Sequence, residues 1–388
     1  MDIIKKRIGI VGGGQLGKMM ILEAKRLGFY VATLDPTPDC PSHSISDLHI
    51  VADFDDPKGY EELAKHADVI TYEFEHINAS ALEKLEKEGH VIYPSVTALK
   101  TIQNKNSQKI ALENSNIPVP RFALVKNTSE IKEFGKPENF GYPLMLKTTT
   151  GGYDGKGNAL IRTEADVENA FHQLGGGKKE LMIEEFIDFE KEISIIACRG
   201  IDGKKVIYEV AENTHKNSIL DVTTVPADIS RALREKAGGI SVEVMSVFEG
   251  VGTFCIEMFV TKDGEVYVNE VAPRPHNSGH YTIEGCYANQ FENHIRAIVG
   301  LPFGCTGLIE PTVMVNLIGE SGGKAKLIGL EEAYNDSTVH IHFYGKSESQ
   351  VGRKMGHYTV IGEPDMPVED TIRRAMALKD VVRVVGED

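Results

Sequence analysis

Two glutamates give this sequence its sharpest chemistry. Cys255 to Thr261 and Val266 to Ala272 are strand-like, and Asp263-Gly264 between them is a favoured two-residue hairpin turn. Counted outward from that turn, Glu257 falls directly opposite Glu270 on one face of the ribbon. Like charges so placed repel across a Cβ separation of ~5 Å. A divalent cation between them reverses the sign of that energy, and magnesium takes one or two carboxylates together with phosphate oxygens. Two solvated surface glutamates are the plain alternative. Against it, Cys255, Phe259, Val268 and Ala272 surround the pair with apolar side chains.

A second constellation begins at Lys147, which ends a strand. Thr150-Gly151-Gly152-Tyr153-Asp154-Gly155-Lys156-Gly157-Asn158 follows. Glycines allow positive φ and close backbone approach to a ligand, and their amides can point at polyphosphate oxygens. Lys147 and Lys156 add positive charge. A flexible hairpin loop explains the glycines, but not the lysines or the Tyr153-Asp154 tip. The P-loop pattern GxxxxGK[ST] is absent. Directly after Glu270 comes Val271-Ala272-Pro273-Arg274-Pro275-His276-Asn277-Ser278-Gly279-His280, dense in donors and stiffened by two prolines. It has the make-up of a substrate-binding loop beside the glutamate pair. Lys346 and Gly352-Arg353-Lys354-Met355-Gly356-His357 form a basic patch that suits a phosphate and equally a solvated surface cluster. Leu181 to Ile187 is an apolar strand with adjacent Glu184 and Glu185, which must face differently because strand sides alternate. Its backbone could read an adenine ring, and Glu192 beyond it could accept ribose hydroxyls.

A third feature, G-x-G-x-x-G at Gly12, Gly14 and Gly17, lies between a strand and a helix, where N-terminal amides favour an anion. Asp35 ends the next strand, where a dehydrogenase would hold a ribose. Alone this motif fits NAD binding, another phosphate site, or a tight βα turn.

The elements that must position these groups follow from periodicity. Residues 7–11, Tyr30 to Asp35, Asp68 to Phe74 and His90 to Tyr93 read as strands, with helices over Lys18 to Leu27, Gly59 to His66 and Ser80 to Glu88. This predicts a doubly wound, Rossmann-like α/β domain over residues 1–103. A polar helix at Asn104 to Asn114 precedes the breaker Ile117-Pro118-Val119-Pro120. A small α+β lid is expected over 104–187, with strands near Phe122–Val125, Pro143–Lys147 and Leu181–Ile187 and an amphipathic stretch at Glu164 to Leu174. Long strands and one hairpin are expected over 188–310. A strand-rich C-terminal region over 311–388 ends in a helix near Val368 to Lys379.

The chain has 388 residues, enough for several domains, and 57 acidic against 42 basic residues give a net charge of −15. That acidity argues against a general nucleic-acid binder. The 5 scattered cysteines contain no CxxC pair, which points to buried thiols in a reducing cytosol. No apolar stretch approaches the ~18 residues of a membrane span. Lys5-Lys6-Arg7 and the short apolar run after it read as a first strand rather than a signal peptide.

Taken together, GGGQLG, Thr71-Tyr72-Glu73-Phe74-Glu75, GGYDGKG, EEFI, Glu212-Asn213-Thr214-His215-Lys216, NEVAPRPHNSGH and GRKMGH resemble the ATP-grasp superfamily. Within it they resemble the N5-carboxyaminoimidazole ribonucleotide synthetases of purine biosynthesis, over essentially the whole chain. That family often has aspartate where Asn104 stands. The resemblance implies an ATP-grasp fold, α/β and α+β in separate domains, and ATP and magnesium as ligands. Lys105 and Lys147 would contact ATP phosphates, with Gly152, Tyr153, Asp154, Gly155, Lys156, Gly157 and Asn158 closing over them. Glu184, Glu185, Phe186 and Ile187 would line the adenine site. Glu192 would hold the ribose, with His215 and Asn269 nearby, and Glu257 and Glu270 would hold magnesium. Gln15, Leu16 and Glu75 would touch 5-aminoimidazole ribonucleotide, whose phosphate would meet Lys346, Arg353 and Lys354. Tyr153, Asp154, Lys156, Arg274, His276 and Asn277 would surround the reacting centre.

The implied reaction is an ATP- and bicarbonate-dependent carboxylation of that ribonucleotide through carboxyphosphate, in a cytoplasmic homodimer with no nucleic-acid or membrane partner. Competing expectations are another ATP-grasp ligase, such as a formate-dependent glycinamide ribonucleotide transformylase or a biotin carboxylase, an NAD-dependent dehydrogenase, or a catalytically silent ligand-binding protein.

Overall fold

The computed structural model describes residues 3–152 and 156–387. Tyr153, Asp154 and Gly155 lie outside the described residues. The N-terminal region is a four-stranded parallel sheet in the order Leu48–Ile50, Tyr30–Leu34, Arg7–Val11, Val69–Tyr72. Its central strands are buried almost throughout, as parallel strands covered by helices on both faces must be. The expected strand at His90 to Tyr93 is absent as such. Only Ile92 bridges Ile70. Pro94 has no amide to extend a ladder, and Ser95 at once caps the helix Val96–Gln103.

The glycine-rich turn enters the helix Gln15–Arg26, and its amides already hold an anion supplied by the chain itself. Glu73 accepts from the Gly14 and Gly17 amides, both at 2.6 Å, and Asp35 accepts from Gly13 at 2.8 Å. The glycines are required by this close approach. A Cβ on Gly12 (φ +103°) would lie 2.3 Å from the Glu73 Cγ, and one on Gly17 would lie 2.4 Å from the Gly12 carbonyl.

The lid is a four-stranded antiparallel sheet, Phe122–Val125, Leu181–Glu185, Leu144–Thr148, Asn158–Ile161, packed on the helices Thr128–Phe134 and Val167–Gln173. The larger remainder forms a nine-stranded sheet in the order Val266–Ala272, Gly252–Thr261, Phe189–Arg199, Ala211–Lys216, Ile219–Val225, Thr312–Ile318, Lys354–Ile361, Val339–Phe343, with Lys205–Ile207 beside Phe189–Arg199. This sheet runs without a break across the boundary expected at residue 310, because Ile219–Val225 pairs with Thr312–Ile318. A three-stranded sheet, Glu348–Ser349, Gly323–Ile328, Arg383–Glu387, closes the C-terminal end.

The helices Arg231–Phe248 and Gln290–Val299 were not expected among the strands of 188–310. The first contains Gly238-Gly239, poor helix formers. Ala237, Ile240, Val244, Met245 and Phe248 nonetheless bury its apolar face in the main core, so packing overrides propensity. Among the described residues no helix is long and apolar enough to cross a membrane.

Replacing Glu73 by Gln puts an amide NH₂ opposite a backbone donor in a buried turn. We expect a loss of about 1–3 kcal/mol, read as a lower thermal unfolding midpoint. An unchanged midpoint would show that the turn holds without its internal anion.

Candidate active site

A cleft of about 1260 Å³ is bounded by all of these units. Gln15, Leu16 and Glu75 reach it from the N-terminal region, and Lys147, Gly152, Lys156, Asn158, Glu184, Glu185, Phe186 and Ile187 from the lid. Glu192, His215, Glu257, Asn269, Glu270, Arg274, His276 and Asn277 come from the central sheet and its loops, and Lys346, Arg353 and Lys354 from the C-terminal region. These sequence-predicted site residues are thus brought together from segments more than 300 positions apart. Gly157 and Lys105 are not among the lining groups, although Lys105 meets the cleft through Glu270.

Glu257 does pair with Glu270, but the expected two-residue turn is wrong. Thr261 pairs with Glu265 around the three-residue loop 262–264, in which Gly264 has φ +81°. That register would leave Glu257 opposite Asn269. A bulge between Glu257/Met258 and the facing Val268 and Glu270 inserts Asn269 as an extra residue and shifts the ladder by one. The two offsets cancel. The bulge also turns Asn269 and Glu270 toward the cleft together, which regular alternation forbids.

Burial, the neighbouring Glu270 and Glu192 push the Glu257 carboxyl up to about 7, with His215 opposing. On the other side, the Lys105 ammonium lies 2.5 Å from Glu270. An all-oxygen pair with unmet negative charge fits a magnesium ion by the chemistry of its donors.

Lys105 and Lys147, both expected on ATP phosphates, are held by carboxylates. Lys147 Nζ is 2.6 Å from Glu184 and 3.4 Å from the Asn269 Oδ1. Glu184 is almost wholly buried. It faces a second cation that the sequence reading missed, Lys109, at 3.5 Å. The signal was available: Lys109 stands four residues after Lys105 in the predicted polar helix, one turn along the same face. Glu185 turns the other way and is bound by Arg121 at 2.7 Å. Glu192 pairs with His215. Burial works against the charged ring of His215, but Glu192 outweighs it and raises its pKa. Phe189 and Phe259 stack at 4.6 Å on the cleft wall, an apolar surface also missed.

On the opposite side, Arg274 grips Glu75 through two hydrogen bonds of 2.5 and 3.1 Å. Burial alone would raise the Glu75 carboxyl, but the guanidinium holds it down at about 2. His276 stays neutral, because burial and the nearby Arg274 and Lys354 cations push its pKa well below the usual range. Its Nε2 is 3.7 Å from Glu257. Asn277 lines the cleft, yet its side-chain amide is spent on Asn316 in a reciprocal pair of 2.9 and 2.7 Å. It braces the loop. The expected Tyr153, Asp154 and Gly155 lie outside the described residues. At the N-terminal turn, Gly13, Gly14 and Gly17 have no amide left for a dinucleotide phosphate in this structure, which removes the main support for a dehydrogenase.

Comparison with known proteins bears on the same three regions. A ribonucleotide synthetase preATP-grasp domain matches residues 5–103, an ATP-grasp domain matches 110–291, and a phosphoribosylaminoimidazole carboxylase C-terminal domain matches 312–371. The N5-carboxyaminoimidazole ribonucleotide synthase of Bacillus subtilis is 41% identical over 358 residues, 92% of each chain. The chain belongs to the N5-carboxyaminoimidazole ribonucleotide synthase family. The solved synthetase of Thermotoga maritima is 46% identical with a TM-score of 0.89, covering 98% of this chain and 100% of that one. The Aspergillus clavatus synthase, solved in complex with ADP and 5-aminoimidazole ribonucleotide, is 33% identical with a TM-score of 0.89, covering 98% and 99%. As a member of this family the protein is an ATP-grasp ligase with a preATP-grasp domain at its N-terminus.

The Glu75–Arg274 bridge joins the preATP-grasp and ATP-grasp domains, and its energy depends on pH. Glu75 is depressed, so its contribution is complete above the unfolded carboxyl pKa of about 4.3 and is lost as pH falls toward 2. Arg274→Met leaves a buried carboxylate alone and should cost about 3–5 kcal/mol at neutral pH. The double variant E75Q/R274M should recover much of that loss. Thermal unfolding at pH 7 and across pH 5 to 2 reads both effects, and additive single-variant losses would show that the two side chains are not coupled.

Proposed function

We propose that the cleft carboxylates 5-aminoimidazole ribonucleotide: ATP + bicarbonate + 5-aminoimidazole ribonucleotide → N5-carboxyaminoimidazole ribonucleotide + ADP + phosphate. One observation carries this reading. A single cleft joins a polyphosphate-type half, with Lys147 and the Glu257/Glu270 pair, to a second cationic patch of Lys346, Arg353 and Lys354. Such a cleft suits a nucleoside triphosphate together with an acceptor that carries its own phosphate. The Aspergillus relative, solved with both nucleotide and ribonucleotide, supports the assignment.

Bicarbonate is a poor electrophile, and transfer of the γ-phosphoryl group to its oxygen gives carboxyphosphate with release of ADP. Cleavage of the carbon–oxygen bond then frees carbon dioxide and phosphate beside the exocyclic amine. The amine attacks the carbon and loses a proton, which leaves the N-carboxylate. Lys105 and Lys147 neutralise charge on the transferring group. Magnesium held by Glu257 and Glu270 would add Lewis-acid neutralisation of the phosphate oxygens. The remaining groups are positional. Arg274, fixed by Glu75, and neutral His276 form the wall between the two halves. Lys346, Arg353 and Lys354 hold the acceptor phosphate, with Gln15 and Leu16 at the helix start beneath the imidazole. The lid shields carboxyphosphate from water. Asp154, with Tyr153 and Lys156 in the glycine-rich loop, orients the amine or takes its proton. The reading also includes a cytoplasmic homodimer, on the strength of the family resemblance.

ATP hydrolysis should be stimulated by 5-aminoimidazole ribonucleotide with bicarbonate, and the carboxylated ribonucleotide should be found by mass spectrometry. Stimulation by formate with glycinamide ribonucleotide instead would replace this function with a transformylase. Asp154→Asn should lower product formation by about 10²–10⁴-fold while leaving ATP affinity within a few-fold. Full turnover in that variant would remove Asp154 from its role.

A further inference from the structure

Lys109 is a buried cation beside this site to which the reaction gives no part. Its ammonium is buried, with 2% of the side chain exposed, 3.5 Å from the Glu184 Oε1 and 3.2 Å from the Val268 carbonyl. Val268 keeps its place in the ladder opposite Met258, but it lies on the outermost strand of the sheet, so its backbone groups can face away from that partner. Its amide bonds Pro118 at 2.8 Å, and its carbonyl receives Lys109. Glu184 therefore lies between two lysines from different elements. Lys147, on the lid strand Leu144–Thr148, binds Oε2 at 2.6 Å. Lys109, on the helix Lys105–Glu113, faces Oε1, which has no hydrogen-bond partner.

This arrangement matters only if Lys147 moves. The proposed function puts Lys105 and Lys147 on nucleotide phosphates, and the inference rests on that part of it. Lys105 leaves Glu270, which a dication then neutralises. Lys147 leaves Glu184, a carboxylate only 2% exposed. A charge that deep, stripped of its partner, strongly opposes the exchange. We propose that Lys109 is a positioning residue: it is the resident counter-ion of Glu184, and it keeps that charge paired while Lys147 transfers to the nucleotide. Burial lowers the Lys109 pKa to about 8, with Glu184 and Glu270 resisting and Lys147 assisting, so the ammonium is still charged at neutral pH. Departure of Lys147 removes a repelling cation and strengthens that charge.

The test is magnesium–ATP and magnesium–ADP binding by calorimetry at pH 7, with KM and kcat for ATP alongside. Lys109→Met should weaken nucleotide binding by about tenfold or more, because Glu184 now competes for Lys147. KM should rise by a similar factor while kcat changes far less. Glu184 itself lines the cleft, so the reference for the double variant is E184Q. In K109M/E184Q no carboxylate remains to be stranded, and affinity should stay within about threefold of E184Q. Loss of packing alone would leave the double variant about tenfold weaker than E184Q. Should K109M fail to fold while K109M/E184Q folds and binds, the requirement for a paired Glu184 is met by that result as well. Unchanged nucleotide affinity in K109M overturns the inference, and so does a double variant weaker than E184Q by the factor that separates K109M from the parent, or one unable to fold. The calorimetric measurements read nucleotide alone. An enzyme that turns over ATP with a different acceptor would discard the carboxylation and leave the Lys109 result standing. Normal carboxylation with nucleotide-tight K109M would discard only Lys109.

Discussion

Charge held at depth is the constraint on which the rest of this molecule turns. Glu184, Glu257, Glu270 and Lys147 line one cleft, Lys105 and Lys109 stand behind it against Glu270 and Glu184, and Glu184 and Lys109 are buried as deeply as core residues. No such group can stand alone, since the cost of an unpaired buried ion exceeds what most contacts return. The resting pairs, Lys105 with Glu270 and Lys147 with Glu184, therefore match each of these charges with another from a different element. Glu257 is left with its carboxyl raised to about 7 by burial and by Glu270. The residual negative charge is concentrated at the Glu257/Glu270 pair, where the proposed dication would sit.

The N-terminal region solves a related problem differently. A glycine-rich turn at a helix start presents amides that favour an anion. Here Glu73 and Asp35 take that place, so the turn is closed on itself and Gln15 and Leu16 are offered to the cleft instead. The same spacing of glycines thus supports a packing device rather than a nucleotide site. What decides between the two is a carboxylate some sixty positions downstream, which no local pattern can reveal.

That contrast explains what was legible in the sequence. Parallel strands Arg7–Val11 and Tyr30–Leu34, three of the four lid strands and the hairpin were readable because apolar runs and turn residues are local signals, whereas the lid strand Asn158–Ile161 was not foreseen. The facing of Glu257 and Glu270 was also obtained, though through an incorrect turn whose one-residue error the Asn269 bulge happens to offset. A bulge has no reliable local signature, since it is a mismatch of register with the partner strand Gly252–Thr261 and not a property of its own residues. Arg231–Phe248 was hidden by its central glycines. Asn277 read by composition as one donor of a substrate-binding loop, and its amide pair with Asn316, 39 positions on, has no local signal. Lys109 was overlooked although it stands one helical turn after Lys105, because a lysine in a polar helix reads as solvated surface until the helix is seen to lie against a carboxylate.

The helix Lys105–Glu113 gathers these threads. Asn104 caps it by accepting from the Ser107 amide at 3.0 Å, and the family's frequent aspartate would do the same work there. The Lys105 amide donates to the Thr149 carbonyl at 2.8 Å, where the glycine-rich loop begins. Gln108 bonds both the amide and the carbonyl of Val271, one residue beyond Glu270, at 2.9 and 3.0 Å. One short helix thus fixes the root of the loop, the strand carrying Glu270, and two of the three lysines in a single frame. A capping change at Asn104 would shift all of them together, so the cap is as much a part of the geometry of the cleft as the charges it aligns.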